Sequence, residues 1–462
     1  MLRVILRRAL LFAVALTVFC AVRGARAGVA RPVHEQRLAN GLRVVVAPDP
    51  AGSDVSLAIR YDTGARDEPA GLEGLAHLLE HIMFFGSRHV EPGGFARILE
   101  EAGGTNLNAI TNLDSTTYFE TLPPERLELA LWLESDRMGY GLDRLDEATL
   151  ARARTEVQNE RRERVVQPPL GALPAMVFGE LFPPWHPYHH LPIGTPEAVA
   201  RVTTADVRAF FNTWYGPANA LVVIAGKVDP AAATALVEKY FGSLPPRAPP
   251  VRPTVPFPAA TGTTLVHVGA GVTRTEVRFA WVTPPFGAAG DAELDLTAAV
   301  LVDRGAGWLE RVLLTSPRLC TQVSAFQDSM ALASLFEIRT VLADGQPVKQ
   351  ALAGILAALG RFEADATDAE IERARMAFQN FRLFGLDSTL SIAGGIAGTS
   401  VLGPLGPVYD GRLGRYTAIA PRAVRDTVRA RLGTRPWVVT IAHPTRGKST
   451  MGEVTSREEV PW

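Results

Sequence analysis

Seven of the fourteen residues from Pro245 to Pro258 are proline, near the middle of a 462-residue chain. Proline fixes φ and removes a backbone donor, so "LPPRAPPVRPTVPFPAATG" can be neither helix nor central strand. It reads as a stiff, extended linker over residues 245–262. A chain of this length also exceeds what one core usually organises. The sequence therefore predicts two domains, 28–244 and 263–462, each α+β.

The order of elements is similar on the two sides. Before the linker, strands are expected near 42–48 and 54–62, then two helices, the second near 93–102 and stopped by Gly103 and Gly104. Strands near 105–111 and 114–121 follow. Helices are expected near 124–140, 146–165, 168–181 and 203–214. A strand in "NALVVIAGKVD" and a helix near 229–240 close this half. After the linker come strands near 263–268 and 275–282, helices near 290–301 and 306–315, and strands near 319–327 and 331–341. Long helices and a late strand, "PWVVTIAHP", complete the second half. This repeated order points to a diverged internal duplication.

The N-terminus has the three zones of a secretory signal peptide: Arg3, Arg7 and Arg8, an apolar run from Ala9 to Val22, and Ala25-Arg26-Ala27. Cleavage after Ala27 is expected, with a retained anchor as the alternative. The apolar run is short for a membrane span. Phe19 is too bulky for a lipoprotein site at Cys20. Loss of residues 1–27 removes five arginines and no acid, leaving 42 basic against 48 acidic residues, a charge of −6. Neither this nor the full-chain charge of −1 suggests a nucleic-acid partner. The remaining Cys320 cannot form an internal disulfide. No other segment has 18 consecutive apolar residues, so no membrane span is expected after cleavage.

The segment "GLEGLAHLLEHIMFFGS", residues 71–87, carries His77, Glu80 and His81 in an otherwise apolar helix. His77 and His81 are four apart and share a face, with Glu80 beside them. Burying an unsatisfied polar group costs roughly 2–7 kcal/mol. A divalent metal removes the conflict by binding both imidazoles and placing a water beside the glutamate. The order H-x-x-E-H is the inverted zinc-protease motif. Zinc there takes three protein ligands and a water, with Glu80 as the base. The third ligand must come from elsewhere. In "LARARTEVQNERRERVV", Glu156, Glu160 and Glu163 can share a face, and periodicity does not choose among them.

Together, "GLAHLLEHIMFFGS", "LNAITNLDSTTYF", a Glu-bearing helix, "HPYHHLPIGTPEAV" and "ANALVVIAGKVDP" resemble the pitrilysin/insulinase family of zinc metallopeptidases. The likeness is greatest to shorter members related to the mitochondrial processing peptidase. It covers about residues 35–245 strongly and 260–455 weakly. It implies two similar domains, each a mixed or mainly antiparallel sheet packed against helices. His77 and His81 match the histidine ligands, Glu80 the catalytic base and Glu160 the third ligand, for one Zn2+ per chain. Glu156 would then orient the site from one turn earlier. Ala153 stands where many relatives have a further acid.

The resemblance also implies that "NAITNLDSTTYF" contains a substrate-binding edge strand, with Asn108 and Ala109 as contacts. An extended peptide would add to it as a strand. His186, His189 and His190 read as a structural loop, because no acid or cysteine accompanies them at ligand spacing. Many relatives supply an arginine and a tyrosine from the second half, to stabilise charge on the tetrahedral intermediate. Trp308 and Thr321 occupy those places here, with Arg304, Arg311 and Arg318 out of register. The expectation is an exported, periplasmic zinc endopeptidase acting on short or unfolded peptides. It would work as the catalytic subunit of a two-chain chamber. Its partner would be a related chain without the zinc motif but with the arginine and tyrosine, or a second copy. The alternative is a non-catalytic subunit of a processing-peptidase-like complex.

Overall fold

The computed structural model describes residues 31–247, 250–259, 262–303, 305–315, 317–403, 405–406, 408–433, 436–445 and 451–460. The signal-like segment and Arg304 lie outside the described residues.

Each half is built on a six-stranded mixed sheet. The first contains β1 (His34–Arg37), β2 (Arg43–Pro48), β3 (Val55–Tyr61), β4 (Thr105–Thr111), β5 (Thr116–Leu122) and β6 (Ala220–Gly226). Their spatial order is β1-β2-β6-β3-β5-β4, and only β2 and β6 pair in parallel. The second contains β7 (Thr263–Ala270), β8 (Glu276–Thr283), β9 (Cys320–Asp328), β10 (Ser334–Leu342), β11 (Val438–Pro444) and β12 (Glu453–Val460). Its order is β12-β7-β11-β8-β10-β9, with β7 and β11 parallel. Position by position the sheets match. The outer strand beside the parallel pair differs in origin: β1 precedes its neighbour in the chain, whereas β12 comes from the C-terminal end. The duplication inferred from element order is thus present in the topology.

Strands β3 and β6 are buried along their whole length. Their "VSLAIRY" and "ALVVIAG" runs suit central strands covered on both faces. One face meets the helices of its own half, including α1 (Leu75–Ile82), α2 (Leu127–Tyr140) and α3 (Glu147–Arg161). The other face is covered from across the molecule. Helix α6 (Thr389–Thr399) places Ile392, Ala393, Ile396 and Ala397 on Val45, Ala58, Val223 and Ala225. Reciprocally, α4 (Leu173–Leu181) places Leu173, Val177 and Phe178 against Val266, Val268, Ala280 and Val282 of the second sheet. Each half lends one apolar helix to the other, so the halves share two cores.

The second half also carries α5 (Asp368–Phe384), which starts at the N-cap Thr367 as α3 starts at the N-cap Asp146. Counted from those caps, Phe381 and Ala377 stand where Glu160 and Glu156 stand in the first half. The second half repeats the fold without the acidic pair.

Between the halves, the Pro-rich segment carries no helix or strand in its described residues. Arg252 ties it to the first half through Asp62 and Asp67, and stacks over Trp214. The polar edge strands β1 and β12 and a short helix, Pro196–Arg201, were not read from sequence. Edge strands bury little, so their hydrophobic alternation is weak. Among the described residues, no helix is long and apolar enough to cross a membrane.

Candidate metal centre

Helix α1 is held at its N-terminus by Glu68, whose side chain is fully buried. Its carboxylate accepts the Gly74 and Ala76 N–H groups, each at 2.8 Å. Two otherwise orphaned helix donors are thereby satisfied. Burial pushes the Glu68 carboxyl up, while those two hydrogen bonds pull it down. Gly74 is left-handed, at φ +105°. A Cβ there would come within 2.7 Å of Val199 and 3.2 Å of Gly194, so the helix entry requires glycine.

On this helix both imidazoles turn Nε2 toward α3. His77 Nε2 lies 3.4 Å, and His81 Nε2 3.1 Å, from the same oxygen of Glu160, Oε2. The other oxygen, Oε1, pairs with Arg164 at 2.7 Å. Glu156 reaches the far nitrogen of His81, with Oε2 3.4 Å from Nδ1. His77 Nδ1 is buried with no hydrogen-bond partner among the described residues, so Nε2 is its engaged nitrogen. Hydrogen bonds from His77 and then His81 hold the Glu160 carboxyl far below the usual carboxylate range, against burial. Burial pulls the His81 imidazole down, but Glu160 and the charge of Glu80 outweigh it and raise it.

These atoms fit zinc. Nitrogen and oxygen ligands sit about 2.0–2.1 Å from the ion, and a tetrahedron of that radius has edges of roughly 3.3 Å. The two edges to Glu160 are 3.4 and 3.1 Å, and all three ligand atoms lie within 4.8 Å of one another. Two imidazoles and one carboxylate form a zinc donor set with room for a fourth ligand. Among the described residues, no other group of three or more His, Cys, Asp or Glu is placed to hold a metal. The His186–His190 loop is built of separate local contacts. His186 accepts the Tyr188 N–H, His189 meets the Phe182 carbonyl, and His190 faces Glu68.

Glu80, 7% exposed, turns to β4, where Thr111 Oγ1 donates to its Oε2 at 2.5 Å. Strand β4 is the outer strand of its sheet, paired on one side only. Asn106 has φ +55°, and the register slips between Thr105 and Asn108, so a bulge bends this edge. Asn108 is exposed and its Oδ1 accepts the Ala109 N–H at 2.9 Å. The edge ends where Ala65 N–H takes the Asn112 carbonyl and Arg66 N–H takes that of Leu113. Gly64 permits this approach, since a Cβ there would lie 2.2 Å from the Asn112 oxygen.

The structure brings together His77, His81 and Glu160, with Glu156 against the far nitrogen of His81; Glu80 turns to Thr111 instead, and Glu163 is not in the group. Asn108 and Ala109 lie on the edge strand that carries the Glu80 partner. Sequence reasoning missed Glu68, Arg164 and Thr111. The only available signal for Thr111 was its period-two spacing from Ala109. In the second half, Trp308 is buried in the core, and Thr321 donates to the Val341 carbonyl. Arg311 is tied to Glu370, and Arg318 to the Cys320 carbonyl.

The duplicated mixed sheets and the His-His-Glu group are the arrangement expected of the inverted-motif metallopeptidase class. Comparison with known proteins agrees. The family model "Insulinase (Peptidase family M16)" matches residues 43–177, and "Peptidase M16 inactive domain" matches residues 201–378. The zinc protease PqqE of Helicobacter pylori is 30% identical over 373 residues, 79% of this chain and 82% of that protein. A mitochondrial-processing peptidase β subunit of Blastocladiella emersonii is 30% identical over 212 residues, 45% of this chain and 44% of that protein. A solved protease from Helicobacter pylori superposes with TM-score 0.80 at 25% identity, covering 90% of this chain and 100% of that one. The periplasmic protease PqqL of Escherichia coli shares the fold, with TM-score 0.75 at 18% identity, over 90% of this chain and 48% of that one. The chain belongs to the insulinase family of peptidases, M16.

Proposed function

We propose that this protein is an exported zinc endopeptidase that hydrolyses extended peptides. Residues 28–244 form its metal-binding domain, and 263–462 a domain of similar fold without a metal. The observation that carries the reading is the convergence of His77 Nε2, His81 Nε2 and Glu160 Oε2. A zinc ion held there would polarise the scissile carbonyl and lower the pKa of a water. Glu80 would act as the general base, holding the proton of a water at the site and passing it to the leaving amine. Glu156 orients His81 through Nδ1. The peptide pairs with the free edge of β4 at Asn108 and Ala109, so recognition is by backbone more than by side chain.

Export to the periplasm rests on the signal-like N-terminus and on the relative named periplasmic. The second half offers no arginine–tyrosine pair at Trp308 and Thr321, which favours a chamber closed by another chain. That chain is either a relative carrying the pair or a second copy. The same gap favours the second reading, a non-catalytic subunit of a processing-peptidase-like complex. Metal analysis of the purified protein, with cleavage of a quenched peptide before and after chelation, decides between them. Zinc at one per chain with chelator-sensitive cleavage supports the peptidase; no cleavage with any partner supports the subunit.

A further inference from the structure

Thr111 is the last residue of β4, and its two ends face two different tasks. In an antiparallel ladder, opposed residues alternate between pairs that exchange backbone hydrogen bonds and pairs whose N–H and C=O point outward. The β4–β5 turn closes with the Asn112 N–H on the Ser115 carbonyl at 2.8 Å. The next pair, Thr111 with Thr116, therefore turns its backbone groups away from β5. The same parity returns at Ala109 with Tyr118. The Ala109 N–H bears this out, because its acceptor is Asn108 Oδ1 and not β5. Ala109 and Thr111 are thus residues whose backbone groups an added strand would meet. Beyond Thr111 the edge is already taken by Ala65 and Arg66.

The Thr111 hydroxyl has one proton, and its direction follows from its neighbours. Thr116 donates its own proton to the Thr63 carbonyl at 3.1 Å. Thr111 Oγ1 lies 3.4 Å from Thr116 Oγ1 and 2.5 Å from Glu80 Oε2. With Thr116 committed to the Thr63 carbonyl, Thr111 Oγ1 is the donor to Glu80 Oε2. That hydrogen bond anchors one oxygen of the carboxylate and fixes the direction in which Glu80 points.

We propose that Thr111 is a positioning residue that couples peptide docking on the β4 edge to the orientation of Glu80. This inference rests on the peptidase reading of the same site. A peptide pairing as far as Thr111 fixes the backbone of the residue that aims the base. One that stops short of it leaves the base less constrained. The effect belongs in the chemical step, not in binding of substrate or metal.

Thr111→Val keeps the branched shape and removes the donor; Thr111→Ser keeps the donor. With a quenched peptide, the valine variant should lose about 10-fold to 100-fold in kcat, part of the roughly 10²–10⁴ that a general base supplies. Its KM should stay within about twofold, and serine should restore kcat to within about threefold. Titration of Zn2+ into metal-free protein should give both variants the wild-type affinity within about threefold, below the roughly 10–100-fold cost of losing a group that orients a ligand. A valine variant with wild-type kcat overturns the inference alone. So does one whose zinc affinity falls along with kcat, or a serine variant that fails to rescue. If the zinc-loaded wild type cleaves no peptide, the peptidase reading itself fails and this inference falls with it.

Discussion

His81 Nε2 and Glu160 Oε2 stand 3.1 Å apart, although 79 residues separate them in the chain. One helix turn earlier, Glu156 reaches only the far nitrogen of the same ring. The two glutamates therefore have different expected effects. Glu160→Gln should lower zinc affinity by more than the roughly 10–100-fold typical of losing an orienting partner. Glu156→Gln should fall within that range. Competitive Zn2+ titration measures both; if Glu156→Gln loses the metal and Glu160→Gln keeps it, the ligand is one turn away from Glu160.

Glu80 touches Thr111 and not the convergence point of the three ligand atoms. Glu80→Gln should retain zinc and lose about 10²–10⁴ in kcat. Metal content measured beside peptide cleavage checks this. Activity within about threefold of wild type would remove Glu80 from the role of base.

Asp295 lines a cavity of about 660 Å³ between the two halves and accepts a hydrogen bond from Tyr416 at 2.8 Å. Burial raises its carboxyl to about 7, against that hydrogen bond. An unfolded aspartate titrates near about 3.9. The folded state therefore binds a proton more tightly than the unfolded one, and stability is lost as pH climbs from about 4 through about 7. Asp295→Asn keeps an acceptor for Tyr416 and removes the charge. It should raise the melting temperature by a few degrees above pH 7, with the gain shrinking toward pH 4. Thermal melts across that range test it; an equal effect at all pH values would assign the change to packing.

The missing arginine–tyrosine pair makes a prediction about assembly. Arg311 and Arg318 are engaged elsewhere, and Trp308 and Thr321 offer no comparable donor. This chain alone should bind zinc and cleave weakly. Adding a related chain that carries the pair should raise activity about 10²-fold, the worth of one donor to the developing oxyanion. A purified homodimer with full activity would refute the division of labour, and Arg304 or Arg311 would then be the first residue to substitute.

The parts of the site written within one helix were legible from the sequence. The 3.6-residue turn places His77, Glu80 and His81 together in any helix that spans them, and the surrounding Leu, Ile and Met residues dictate its burial. The order of strands and helices was readable for the same reason, since periodicity is a local property. Periodicity did not choose Glu160 over Glu156 and Glu163, since all three satisfy the helix period; the family resemblance pointed to Glu160, and the tertiary structure supplies the physical reason, because Glu160 meets both Nε2 atoms across 79 residues. Thr111 depended on strand parity and on the packing of β4 against α1, neither of which a run of alternating residues specifies. The exchange of α4 and α6 was equally hidden. An apolar helix must cover some apolar sheet, but its sequence is the same whichever sheet it covers; only the closure of both cores at once selected the opposite half.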